Sequence, residues 1–543
     1  MFSNGPLTQQ DKTRALNMSL SLLLILWGFS SVQWNSNLIH AGGAHTADQL
    51  IKALLHPALN KEILTRAFKA VGITLSYALT GMSLSLLFAF ILGLIASGVL
   101  FENNRFKLLV KGTRHLLLFM RSIHELVWAW LFVAAFGLHP LSAILALAIP
   151  YGGTLGRIFS NMLQDVPKAP TNALSLVGAS PLQKLFYVYL PYAIPNMVSY
   201  AMYRFECAVR ASTVMSFVGL GGLGYEIQLS LNDLEYTEAF TYLYALILLI
   251  LCIELWSNKL RLSPSLKLHK HWSIQRISIF GAALATALAW LYIHITEGVH
   301  LTDLFNEKNL KYTFKFLSGL LGVGDQTPAF LSWQAWHKAL VLSLETLQMS
   351  ILAILFAGLL ALFFALPGSK YKMNQNSQGR RGKLNFLLYY LLRGVFIFSR
   401  AIPELVWAMM FVFLFKPGPL PGILALGVHN FGILGKLCAE VVENMDQAPL
   451  EALKTSGASA PQTLFYGILP LTLPKFITYI LYRWEVIIRT SIIVGFVGAG
   501  GLGQAFKLSM SWFKYSEITL YLICYLVLIG GVDKFSNMLR KNI

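Results

Sequence analysis

Charge is scarce in this sequence of 543 residues: Asp, Glu, Lys and Arg together make up 13%, against about 25% in soluble domains. Acidic side chains are the scarcer kind, 25 against 43 basic ones, which leaves a formal net charge of +18. That excess does not read as a nucleic-acid surface. Lys and Arg gather in short stretches between apolar runs, with few aromatics beside them, the pattern of cytoplasmic loops in membrane proteins. Cysteine is confined to Cys207, Cys252, Cys438 and Cys524, all inside apolar runs and none at a CxxC or metal-ligand spacing. These are packing residues. The 12 histidines show no HExxH spacing, so no metal is expected, and His124 and His429 are read as structural. No Walker-type phosphate loop occurs anywhere, so ATP hydrolysis is not expected on this chain.

Apolar residues are abundant instead, at 56% of the chain, with a mean hydropathy of +0.59. They lie in runs such as Leu84–Leu100 and Ile351–Leu366. Each approaches the ~20 residues needed to cross a bilayer, and a helix there satisfies its own backbone in lipid. Spans are expected near 16–34, 72–99, 116–137, 141–163, 187–217 and 238–257, then near 275–296, 340–366, 387–415, 420–442, 466–497 and 516–536. The first run, Leu16–Gly28, follows Lys12 and Arg14 and resembles a signal peptide. The second copy has a matching internal span, near 275–296, which argues against cleavage of that first run. The stretches 101–115, 258–275 and 367–386 are basic, and 258–275 has no acidic residue. They are expected to be cytoplasmic loops, which places both termini inside. Segments 35–70 and 297–339 then fall outside, as short interfacial or extracytoplasmic helices.

The two sets of spans are copies. Residues 121–224 align with 400–503 without a gap, with about four in ten positions identical. RSIHELVWA matches RAIPELVWA, YRFECAVRAS matches YRWEVIIRTS, and FVGLGGLG matches FVGAGGLG. The register still holds near the two ends, where ELWSNKLR (254–261) meets DKFSNMLR (533–540). We therefore divide the chain into 1–265 and 266–543, two tandem six-span units. An even number of spans per copy makes the repeat parallel, with a pseudo-twofold axis along the membrane normal.

Between the fourth and fifth spans each copy carries a distinctive segment. The first reads Asn172-Ala173-Leu174, Gly178-Ala179-Ser180, then Leu190-Pro191. The second reads Glu451-Ala452-Leu453, Gly457-Ala458-Ser459, then Leu469-Pro470. A short helix, a glycine break and a second segment are expected, with the proline opening the next span. This pattern resembles the "EAA" loop of type I ABC importer permeases. Asn172 stands where that loop usually has glutamate, and Leu174 and Leu453 where it has alanine. With RAIPELVWA, YRWEVIIRTS and FVGAGGLG, the chain is similar to phosphonate-type ABC permeases over roughly 110 residues of each copy. The resemblance implies an all-α integral membrane protein of MetI-like permease fold, with two units on one chain. It also implies two cytoplasmic ABC ATPase subunits that carry ATP and Mg and dock on the EAA loops, an extracytoplasmic binding protein, and a bacterial cytoplasmic (inner) membrane. The implied cargo is a phosphonate or related phosphorus oxyanion. Another solute (phosphate, phosphite, an amino acid) is the alternative, and an ion-coupled secondary transporter a more distant one that leaves the doubled loop unexplained. No convergent catalytic set speaks for an enzyme.

Two further groups stand out. Gly219, Gly221 and Gly222, matched by Gly498, Gly500 and Gly501, are read as tight turns ending the fifth span, with a role at an outer gate as the second possibility. Arg204, Glu206 and Arg210 lie in the fifth span, matched by Arg483, Glu485 and Arg489. Glu206 and Arg210 share a helical face, and Arg121 with Glu125, like Arg400 with Glu404, shows the same spacing in the third span. Ionisable groups in lipid are costly and must face the bundle interior or water. These either fix helix packing as Arg–Glu pairs or line the path and favour an anion. Arg204 and Arg483 lie off the shared face and lean towards the path. Trp128 and Trp407 match between copies and are assigned to packing.

Overall fold

The computed structural model describes residues 19, 22–32, 34, 38–101, 104–261, 274–299, 302, 306–371 and 380–540. Among them the secondary structure is helical, apart from one isolated antiparallel bridge between Ile39 and Phe415. Nine described helices are long and apolar enough to cross a membrane, or up to 11 if each bent pair counts as one span. The expected spans at 141–163, 238–257, 275–296, 340–366, 420–442 and 516–536 coincide closely with helices Pro140–Gln164, Tyr236–Arg261, Ile274–Glu297, Trp333–Ala365, Pro419–Glu443 and Tyr515–Arg540. The span near 16–34 falls partly outside the described residues, which show helix over 22–29. Both termini, and the basic side chains of 262–273 and 372–379, lie outside them too.

Compactness cuts the chain differently from the repeat. One unit comprises Gln49–Gly319, the other Met1–Asp48 with Leu320–Ile543. The repeat boundary at 265/266 follows sequence; packing reassigns the segment that leads into each copy. Within the unit Gln49–Gly319, helix Ile274–Glu297 packs on helix Lys61–Ser97, where the Trp290 indole donates to Ser83 Oγ at 3.0 Å. Within the other unit, residues 22–29 lie on helix Trp333–Ala365. Gln348 Nε2 donates to the Trp27 carbonyl and to Ser30 Oγ, both at 3.1 Å.

The third span is not one helix, and 101–115 is not a loop. Helix Lys107–Ser122 starts inside that basic stretch and presents Lys107, Lys111 and Arg114 on its exposed side. Helix Glu125–Phe136 follows at 92°. His124, in extended conformation, caps it by accepting from the Leu126 amide at 3.2 Å. In the second copy the break comes at Ile402-Pro403, between helices Arg380–Ala401 and Glu404–Leu414. Proline there has no N–H to give the preceding helix and is content at the start of the next. Trp128 and Trp407 span the break, donating to the carbonyls of Met120 and Ser399 at 3.4 and 3.1 Å. The expected interfacial segments form helices Gly43–Leu55 and Glu307–Leu320.

In each copy the third and fourth spans meet main chain to main chain at a glycine. A Cβ on Gly153 would stand 2.9 Å from the Leu117 carbonyl oxygen and 3.0 Å from the Arg121 amide nitrogen. On Gly432 it would stand 2.7 Å from both the Phe396 carbonyl oxygen and the Arg400 amide nitrogen. Small residues of this kind let helix backbones approach closely in lipid, where packing rather than hydrophobicity drives association. Gly153→Val and Gly432→Val should each lower stability by about 1–3 kcal/mol through overpacking, read as thermal unfolding in detergent. Gly112→Val, where nothing lies within 4 Å, should cost under ~1 kcal/mol.

Candidate functional site

The two EAA-like segments have the same backbone in both copies. Helix Lys168–Leu176 ends at Gly178, with φ +78, and helix Ala448–Thr455 ends at Gly457, with φ +84. The Ala179 amide donates to the Leu174 carbonyl at 3.0 Å, and the Ala458 amide to the Leu453 carbonyl at 3.0 Å. This is a Schellman closure, which needs a residue tolerant of left-handed φ. Nothing lies within 4 Å of where a Cβ would sit on either glycine, so conformation, not space, demands it. The next helix starts earlier than expected. Ser180 caps it, its amide donating to Gln183 Oε1 at 2.8 Å, and Ser459 does the same with Gln462 at 2.8 Å.

Pro191 and Pro470 therefore lie inside a continuous helix rather than at its start. A single π-helical turn, Leu185–Tyr189 or Leu464–Ile468, precedes each. The widened turn accommodates a proline that has no N–H to donate. The two segments differ in how they are seated. Leu450 is fully buried, against Ile468, Cys438 and Val442, whereas its counterpart Thr171 turns its hydroxyl back to the Lys168 carbonyl. Asn172 and Glu451 are both exposed, as are Leu176, Val177 and Tyr187 in the first copy and Tyr466 in the second. Each copy thus exposes large apolar side chains between its fourth and fifth spans.

The glycine segments turn through left-handed backbone and are held by threonines that lie outside them. Gly219, Gly221 and Gly222 have φ of +93, +74 and +93; Gly498, Gly500 and Gly501 have +97, +85 and +66. The amide after each turn donates to a threonine of an earlier span: Leu223 to Thr74 Oγ1 and Leu502 to Thr346 Oγ1, both at 2.9 Å. These threonines sit outside the gapless alignment, so the repeat did not flag them.

Of the expected Arg–Glu pairs, Glu206 with Arg210 is present, whereas the charges of the second copy find other partners. Glu485 accepts from Arg540 at 2.5 Å, and Arg489 holds Asp533 through two contacts of 3.0 and 2.8 Å. The fifth span of the second copy is thus tied to the last helix, Tyr515–Arg540, and not to itself. In the first copy Arg210 and Glu206 stand 3.5 Å apart on one helix. Asp533 and Arg540 were visible in DKFSNMLR, the match to ELWSNKLR, but only the fold turns that repeat into a pairing. Arg121 and Glu125 do not share a helical face, because the break at 123–124 separates them; the same holds for Arg400 and Glu404. Glu125 lies 3.3 Å from His124 Nε2, and Glu404 3.4 Å from His429 Nε2. Arg483 donates through Nε and Nη2 to Asn430 Oδ1 at 2.9 and 2.5 Å. Arg204 lies over the Tyr151 ring, 5.5 Å from its centroid. No three His, Cys, Asp or Glu side chains converge among the described residues.

The chain thus has many apolar spans and, in each of two copies, a loop–helix tip of the same backbone form. Residues 89–258 and 382–541 both match the family described as "Binding-protein-dependent transport system inner membrane component", and the chain belongs to that family, once in each copy. It is an all-α, multi-pass membrane protein of that permease fold. The chain is 28% identical to the phosphate-import permease protein of Mycolicibacterium smegmatis, over 79% of this chain and 77% of that one. It is 34% identical to the phosphite transport system permease protein of Stutzerimonas stutzeri, over 40% of this chain and 74% of that one. Among solved structures, the inward-facing MetNI methionine ABC transporter is similar at a TM-score of 0.35 and 20% identity, covering 38% of this chain and 100% of that one.

The ladder between the fifth span and the last helix can be measured directly. Asp533→Asn and Arg489→Gln should each cost about 1.5–3 kcal/mol, since hydrogen bonds to a charged group are lost. The double variant should cost less than the two together. Thermal unfolding of the four proteins of that cycle gives the coupling.

Proposed function

We propose that this chain is the transmembrane part of an ABC importer for a phosphorus oxyanion, with separate cytoplasmic ATPase subunits seated on the tips at Gly178 and Gly457. The observation that carries the reading is the doubled tip: the same Schellman closure, serine–glutamine cap and π turn in both copies, with exposed Leu176, Val177, Tyr187 and Tyr466. Two tips call for two ATPase subunits, one on each, with ATP and Mg bound there. The family's dependence on a binding protein supports delivery of the solute from the other side of the membrane. Relatives named for phosphate import and phosphite transport support the cargo class. Closure of the ATPases on ATP would pull on both tips, and the continuous helices that follow them carry that movement into the two fifth spans. The tips would then face the cytoplasm, and with them both termini of the chain.

The reading makes a direct prediction. Gly178→Asp with Gly457→Asp puts a charged side chain on each tip without filling packed space. ATP-driven uptake of radiolabelled phosphate, phosphite or methylphosphonate should fall tenfold or more, the equivalent of at least about 1.4 kcal/mol of lost coupling. Membrane insertion should be unchanged, and stability should fall by roughly 1–2 kcal/mol at each turn through left-handed strain, so uptake is compared per folded protein. Unchanged uptake in a well-folded double variant would remove the tips from the coupling path. Exchanging Asn172 and Glu451 by Asn172→Glu with Glu451→Asn tests in the same assay whether the two contacts are equivalent.

A further inference from the structure

The two fifth spans carry matching arginines in unlike states. Arg483 has spent two of its five N–H donors on Asn430 Oδ1, at 2.9 and 2.5 Å. Its counterpart Arg204 faces Tyr151, the residue that stands where the second copy has Asn430. The guanidinium lies over that ring and over Tyr200, at 5.5 and 5.8 Å from the centroids. A ring face attracts the cation but accepts none of its N–H groups in ordinary geometry. Among the described residues Arg204 makes no hydrogen bond or ion pair, and its Nε is buried without a partner. The other arginine of this span, Arg210, already has a carboxylate, Glu206, at 3.5 Å.

A guanidinium left inside an apolar bundle with its donors unspent is an expensive arrangement. It becomes favourable when an anion supplies the acceptors. A planar fork of N–H groups suits two oxygens of one phosphorus oxyanion, and hydrogen bonds of this kind are among the strong ones. Building on the importer reading above, we infer that Arg204, and not Arg483, is the arginine that contacts the oxyanion in transit. Arg483 is a packing residue that joins the fourth and fifth spans of its copy. Tyr151 and Tyr200 hold the Arg204 guanidinium in place by its face and leave its edge to the solute. The copies differ at this contact, and the difference divides the work between them.

The test uses the chain reconstituted with its ATPase subunits and binding protein, and uptake of radiolabelled phosphate, phosphite and methylphosphonate. Arg204→Gln should lower uptake at least about tenfold, the size expected for one lost charge-assisted hydrogen bond or more. Arg483→Gln should lower the unfolding temperature, with uptake per folded protein within twofold of wild type. Tyr151→Asn keeps Arg204 and installs the acceptor found in the second copy. It should cut uptake at least threefold while raising the unfolding temperature, a combination that loss of packing would not produce. Uptake within twofold of wild type in both Arg204→Gln and Tyr151→Asn overturns the inference and leaves the importer reading standing. So does a larger loss of uptake per folded protein in Arg483→Gln than in Arg204→Gln. A wild-type complex that carries none of the three oxyanions overturns the importer reading, and this inference with it.

Discussion

A charge inside hydrocarbon needs a partner or water, because the bilayer supplies neither. Much of this structure can be read as the working out of that constraint. Glu485 reaches Arg540, Arg489 reaches Asp533, and Arg483 reaches Asn430. These contacts join the fifth span of the second copy to two neighbours: the first two to the last helix, the third to helix Pro419–Glu443. The polar side chains thus decide which helices lie side by side, in a medium where leucine against lipid is as good as leucine against leucine. The same constraint applies to the backbone. Where the third span breaks, His124 or the Pro403 turn meets the freed groups, and where prolines interrupt the fifth span, a π turn absorbs the missing donor.

Close backbone approach is the second theme, and it depends on the first. Polar ties can be short only if helices come near enough, and glycine at 153 and 432 allows the third and fourth spans to touch through their main chains. The threonines Thr74 and Thr346 then reach the amides that follow the glycine turns. Each copy repeats this scheme, which is why a sequence identity of about four in ten suffices to keep it. The copies part company at a few contacts. Tyr151 corresponds to Asn430, Thr171 to Leu450, and Asn172 to Glu451 in the repeat. A fused pair can tolerate this, since each half is free to change without imposing the change on the other.

Much of this was legible in the chain itself. Apolar runs located the spans, since a helix that satisfies its own backbone needs little besides length and apolarity. The doubled glycine–proline spacing located the tips, because a left-handed turn and a missing donor are local demands written in single residues. The family match to both copies agrees with that reading. The kink in the third span was half legible. Pro403 announced it in one copy, but His124 did not in the other, and a spacing of four between Arg121 and Glu125 suggested a helical face that the break removes.

By itself, then, the sequence determined that this is a multi-span membrane protein, that it contains two copies of one unit, and that each copy carries the same glycine–proline segment. Those properties follow from composition, periodicity and local turn chemistry. Tertiary structure alone decided which charges meet, that the segment leading into each copy packs within the other's compact unit, and that Arg204 and Arg483 live in different surroundings. Such pairings join residues tens to hundreds of positions apart. A residue's own neighbours in the chain say nothing of which helix will lie beside it once the bundle has closed.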